Sequence, residues 1–169
     1  KQQLCFALSF WNKNDCRVKE RFFGLSNYQG NHGEDIKEIF YYLDNTPSHS
    51  YMKMVYKYPI NAFPYDDLIN TNAQRSNKDP EYEIFDTGIF DNDEYFDIFI
   101  EYAKAGEDDF LIRIDVHNRS NKAAPIVVLP TVWYRNNWIW GYNDYKGKLG
   151  FSKRGEIDIH HNSLNIKKL

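Results

Sequence analysis

From Tyr95 to Val116 apolar and polar side chains alternate with a period of two, and this pattern limits the fold more than any other feature of the chain. In the first run Phe96, Ile98, Ile100 and Tyr102 fall on one side, with Asp97, Phe99 and Glu101 on the other. An extended strand sends successive side chains to opposite faces, so the pattern predicts a half-buried strand over 95–103; helical spacing fits it badly. After the turn-forming run Lys104-Ala105-Gly106-Glu107-Asp108-Asp109, Phe110, Ile112, Ile114 and Val116 alternate with Leu111, Arg113, Asp115 and His117, predicting a second strand paired with the first. Asn118 to Lys122 break the pattern, and Pro125 then leads into a third run, Ile126 to Tyr134, rich in β-branched residues. Pro130 has no amide hydrogen to give a ladder, so this strand should lie at an edge, carry a bulge or be split. Successive strands joined by short polar loops predict a meander that buries its apolar face on another sheet, hence a mainly β chain folded as an antiparallel β-sandwich.

Other segments extend this outline. Gln3 to Trp11 begins an apolar stretch that predicts a strand, as does Ile39 to Leu43. In the middle, Met52, Val55 and Tyr56 have helix-compatible spacing within Tyr51 to Tyr58, and Asp66 to Arg75 opens with acidic residues after Pro64. Two short helices are therefore expected as an insertion over about 48–78, followed by an extended segment from Tyr82 to Phe85. With 169 residues and no linker or repeat, one domain spanning 1–169 is expected. Both ends read as cut: the chain enters a strand almost at once, and Leu164 to Leu169 alternates like an unfinished strand.

Composition removes several classes of function. A formal net charge of -3 provides no general attraction to nucleic acid or to anionic membranes. No apolar run nears the roughly 20 residues of a membrane-spanning helix, so no membrane partner and a cytoplasmic location are expected. Two cysteines, Cys5 and Cys16, do not make a disulfide scaffold in a chain of this length, although one bridge between them remains open.

The densest polar cluster is Gly30-Asn31-His32-Gly33-Glu34-Asp35, with Lys37 just beyond. One imidazole and two carboxylates in a glycine-rich loop could hold a metal, bind a sugar or serve as acid or base. Only one His accompanies the acids, unlike the paired His of helical zinc sites, so no metal is expected there. The loop remains open between a structural turn and contact with a ligand or neighbouring domain. Neighbouring His160 and His161 would point to opposite faces of a strand and could not readily share an ion. Ser48, His49 and Ser50 lack the Gly-x-Ser-x-Gly surroundings of a nucleophile elbow, and no phosphate-binding glycine loop occurs. Trp133, Arg135, Asn136, Trp138 and Trp140 concentrate aromatic and hydrogen-bonding groups in one short stretch. Such a set suits either a sugar platform or an interface with another domain. The residues name no catalytic pair, and no cofactor is expected.

Several motifs also carry a family likeness. The runs Glu20 to Asn27, Gly30 to Glu38, Thr46 to Lys53, Tyr56 to Pro59, Asp86 to Phe90 and Leu129 to Asn136 resemble the N-terminal region of bacterial glucosidases of glycoside hydrolase family 63, those similar to mannosyl-oligosaccharide glucosidase. The likeness covers nearly the whole chain. It implies a β-sandwich of the large super-sandwich kind that precedes an (α/α) barrel holding the family's catalytic carboxylates. It implies as partners a downstream catalytic domain of the same polypeptide and an oligosaccharide or glucoside substrate. Those carboxylates lie beyond the residues present, so no catalytic residue is carried over, and inverting hydrolysis would occur outside this chain. The alternative expectation is a free-standing carbohydrate-binding or protein-interaction β-module.

Overall fold

A computed structural model describes residues 4–16, 18, 38–107, 109–136, 138–141, 147–151 and 157–160. The fold is mainly antiparallel β, a β-sandwich with one α-helix among the described residues. The chain divides into two compact units, Leu8–Leu129 and, separately, Lys1–Ala7 together with Pro130–Leu169.

The larger unit is built on a four-stranded antiparallel meander of β2 (Ile39–Asn45), β3 (Tyr51–Pro59), β4 (Tyr95–Lys104) and β5 (Phe110–Asn118), in that order. The alternation at 95–116 is realised as expected. In register, Tyr58 faces Phe96, Tyr56 faces Ile98 and Met54 faces Ile100, while Ile98 and Ile100 face Val116 and Ile114 on β5. These residues share one side of the sheet, and Tyr56, Tyr58, Phe96, Ile98 and Ile100 are all buried. Part of β1 (Leu4–Trp11) completes this core, with Leu8 and Phe10 buried and the Phe10 ring stacked 5.8 Å from Tyr56. Each fully buried large apolar side chain removes enough surface from water to contribute roughly 1.5–3 kcal/mol, so these seven residues supply most of what holds the unit together.

Two sequence expectations fail within this meander. Tyr51–Pro59 is a strand, not a helix. Met52, Val55 and Tyr56 fit a helical period by coincidence, whereas Met54, Tyr56 and Tyr58 recur every second residue and match β4 position for position. The run Val127–Tyr134, here β6, does not follow β5 in the meander; it pairs with β1 in a two-stranded sheet. Every strand of a two-stranded sheet is an edge, which is where Pro130 is tolerated. In β2 the register slips between Tyr42 and Asp44, leaving Leu43 as the extra residue of a bulge.

The insertion expected over about 48–78 holds one α-helix, α1 (Tyr65–Gln74), with Asp66 and Asp67 in its first turn. These acids meet the partial positive charge at the helix start. Leu68 from this helix joins Phe63 and Ile84 in a second small core, packed by Tyr65, Tyr82, Ile89 and Phe90. The segment expected to be extended over 82–85 is so only at its start. Asn72 clasps Tyr82 by donating from Nδ2 to its carbonyl at 3.0 Å and accepting its amide at 2.8 Å. Ile84–Thr87 then winds into a 3-10 turn closed by Gly88, whose φ of 70° suits a residue with no Cβ.

In the smaller unit, β7 (Lys148–Phe151) and β8 (Ile157–His160) form an antiparallel hairpin. Leu164 to Leu169 lie outside the described residues. Cys5 and Cys16 are free thiols.

Candidate functional site

The loop residues Asn31, His32, Glu34, Asp35 and Lys37 lie outside the described residues. Beyond Trp11 the chain makes a tight turn, with Lys13 at φ 66°. Its organiser is Asn12, which is 0% exposed and uses all its hydrogen-bonding capacity. Its Oδ1 accepts the amides of Asn14 at 2.9 Å and Asp15 at 2.6 Å, while Nδ2 donates to the carbonyls of Pro59 at 2.8 Å and Asn61 at 2.9 Å. The turn buries the Asp15 carboxylate, whose Oδ2 accepts the Tyr58 hydroxyl at 3.3 Å. Before β2, buried Glu38 accepts the Tyr56 hydroxyl on Oε1 at 3.1 Å.

Tyr56 and Tyr58 are alternate residues of β3 on one face, with rings stacked 5.8 Å apart. Two buried carboxylates are thus fixed by adjacent phenols on a single strand. Burial raises the pKa of Tyr56 and of Tyr58, and the negative charges of Glu38 and Asp15 raise them further. Tyr65 is raised in the same way, first by burial and then by Asp15 and Glu38. These phenols therefore stay protonated, and Tyr56 and Tyr58 act as donors to Glu38 and Asp15. The sequence pattern marks the tyrosines as core residues, but nothing local in it pairs Asp15 with Tyr58, since the partners lie 43 positions apart.

A second polar system covers the opposite face of the sheet. Asp97, largely buried, accepts Lys57 Nζ on Oδ1 at 2.6 Å and Arg119 Nε on Oδ2 at 2.6 Å. Burial alone would raise its pKa, and the two cationic hydrogen bonds outweigh that effect and hold it below the ordinary value. Lys57 also sits 4.5 Å from the centre of the Tyr95 ring. Further along, Glu101 accepts Lys53 at 3.0 Å and the Tyr51 hydroxyl at 3.0 Å. Every charge in this array has a partner, which is the behaviour of a solvated structural face. Ser48, His49 and Ser50 occupy the β2–β3 turn, where Ser48 Oγ donates to Ser50 Oγ at 3.1 Å and His49 Nδ1 lies 3.1 Å from Asn45 Oδ1. No group of three or more potential metal ligands occurs among the described residues.

The aromatic stretch belongs to the smaller unit. Trp133 is 43% exposed on β6, Arg135 and Asn136 are exposed, and Trp138 is partly buried. Trp138–Trp140 forms a 3-10 turn closed by Gly141 at φ 71°, with the Gly141 amide donating to the Trp138 carbonyl at 3.2 Å. Ile139 and Trp140 project into solvent at 70% and 58% exposure. On the other side of β6, Tyr134 is buried with Gly147 flat against its ring. Val132, on that same side, lines a shallow apolar depression of about 190 Å³ with Leu149, Gly150 and Phe151. Alternation along β6 thus turns Trp133 away from Val132 and Tyr134. This unit offers apolar aromatic surface with an Arg and an Asn beside it, and no pair of facing carboxylates among the described residues.

No helix among the described residues is long and apolar enough to cross a membrane. No protein-family model matches the chain, and no solved structure matches it. The chain is similar to the Uncharacterized protein YMR196W of Saccharomyces cerevisiae, with 44% identity over 158 residues. That alignment takes in 88% of this chain and 14% of the yeast protein, so the chain spans about a seventh of the length of this relative.

Proposed function

We propose that the chain is the N-terminal accessory domain of an α-glucosidase-type glycoside hydrolase, and that it packs on and shapes the pocket of a downstream (α/α) barrel. The observation that carries the proposal is the exposed apolar surface of the smaller unit. Ile139, Trp140 and Phe151 are 70%, 58% and 85% exposed, and Trp133 is 43% exposed. Large aromatic side chains of this kind are enriched where another protein body covers the surface. The yeast relative is long enough to hold a separate catalytic domain, since this chain covers only 14% of it. The motif likeness to family 63 glucosidases supplies the chemistry.

A second reading rests on the same residues. Trp133 and Trp140 with Arg135 and Asn136 could stack on and hydrogen-bond a sugar, which would make the unit a carbohydrate-binding module.

One experiment separates the two. The chain alone and the complete polypeptide that carries it are assayed for hydrolysis of nitrophenyl α-glucoside, and tryptophan exposure is read by acrylamide quenching in both. The accessory-domain proposal expects turnover by the complete polypeptide alone, with tryptophans shielded there and quenchable in the isolated chain. Turnover by the isolated chain, or a complete polypeptide with no glucosidase activity, would overturn it. Oligosaccharide that protects the tryptophans of the isolated chain would favour the binding module.

A further inference from the structure

Among the described residues, the four-stranded sheet ends on β5. β5 pairs with β4 through nine consecutive positions, Phe110 to Asn118, without a register shift. It contains no proline, and among the described residues no strand lies on its other side. At the opposite border, β2 is bent by the Leu43 bulge. Exposed edges are normally blunted by bulges, prolines or charged side chains; β5 has neither a bulge nor a proline, and its charges, Arg113 and Asp115, are paired with each other. Its free groups can be assigned. Arg119 donates its amide to the Tyr95 carbonyl at 3.0 Å, so odd-numbered positions of this register turn their backbone groups toward β4. Ile112, Ile114 and Val116 therefore turn their N–H and C=O groups to the open side. Several side chains along this edge are apolar and accessible, with Phe110 53%, Leu111 60% and Val116 37% exposed, interspersed with the polar Arg113, Asp115 and His117.

We propose that β5 is a self-association edge, pairing antiparallel with β5 of a second copy of the chain about a two-fold axis at Ile114. Charge complementarity identifies the occupant. Arg113 and Asp115 flank Ile114 on one face and form an ion pair of 2.8 Å within the strand. When Ile114 faces its own copy, each Arg113 stands opposite the other copy's Asp115, and two ion pairs become a ring of four alternating charges. On the other face Ile112 meets Val116, and the two sheets become one sheet of eight strands. Neighbouring registers are selected against. Centring the axis on Arg113 or on Asp115 sets like charges face to face, and parallel in-register pairing does so at both positions. The contact is a single strand seam, smaller than a standard interface of about 1,600 Å², so the dimer is weak and its population depends on concentration. This inference does not depend on the glucosidase proposal.

The test is sedimentation equilibrium of the chain over a wide concentration range, with charge reversals at two exposed positions. Arg113→Asp alone and Asp115→Arg alone each set two like-charged pairs across the axis and should weaken the dimer roughly tenfold or more. An equimolar mixture of those two variants restores opposite charges at both sites and should recover association, as should the double variant R113D/D115R. Recovery separates loss of the interface from loss of the fold, and far-UV circular dichroism checks the single variants directly. A chain that stays monomeric throughout would overturn the proposal. So would single variants that associate as tightly as the unaltered chain, or a mixture that fails to recover; association through the Trp138–Trp140 surface would give the former result.

Discussion

Gly147 lies so close to the ring of Tyr134 that a Cβ at position 147 would sit 2.2 Å from Tyr134 Cε2, well inside van der Waals contact. The Tyr134 ring is itself buried, so it has little room to retreat. Gly147→Ala should therefore destabilise the smaller unit by about 1–3 kcal/mol, the usual cost of overpacking. Thermal unfolding followed by tryptophan fluorescence checks this, and Tyr134→Leu in the same background should recover part of the loss by opening space.

Asn12 holds the turn that buries Asp15, with four hydrogen bonds to main-chain groups. Asn12→Ala leaves buried amides and carbonyls without partners, and should cost about 2–4 kcal/mol in urea unfolding. Tyr58→Phe removes the hydroxyl that donates to Asp15 and accepts the Asn12 amide at 3.4 Å, leaves the four side-chain bonds of Asn12 in place, and should cost less, about 1–2 kcal/mol. Equal losses for the two variants would mean that the turn itself contributes little.

Acid should weaken the larger unit through Asp97. Its folded pKa lies below the unfolded value of about 3.9, so its contribution is present above that pH and is lost as pH falls through the folded value. In Asp97→Asn the stability at neutral pH should drop by about 1–3 kcal/mol, because Lys57 and Arg119 lose their shared anion yet keep partial access to water. The variant should also show a flatter decline of stability below pH 4. An unchanged acid limb would assign the acid sensitivity to other carboxylates.

Alkali should act through the phenols. Tyr56, Tyr58 and Tyr65 all have pKa values raised above 10, so their contribution is present below the unfolded value and disappears as pH rises beyond it. Absorbance titration at high pH should reveal a group of tyrosines that ionise only together with the loss of circular dichroism. Smooth, independent ionisation of all 13 tyrosines would contradict their placement.

The legible part of this chain was its local periodicity. Phe96, Ile98 and Ile100 announced β4 because burial on one face of a strand leaves a mark at every second residue, and β5 was readable for the same reason. In Tyr51–Pro59 three apolar residues also satisfy a helical period, and only pairing with β4, a non-local fact, decides between helix and strand. The partnership of β6 with β1 was hidden likewise, since a strand's own residues do not name its neighbour. At the candidate site, Trp133 and Trp140 are exposed, whereas the Asp15–Tyr58 and Glu38–Tyr56 anchors had no sequence signal beyond isolated acids and tyrosines.

The meander has two tight connections, 46–50 and 105–109, and one long one, the 60–94 excursion with its own small core. Closing a long loop costs more chain entropy than closing a short turn, so the β2–β3 and β4–β5 hairpins can each arise early and cheaply. The seam of β3 against β4 is then expected to be the last join and to limit the speed of folding. Shortening 60–94 should accelerate folding, while substitutions that weaken either hairpin turn should chiefly slow folding and leave the unfolding rate little changed in stopped-flow kinetics.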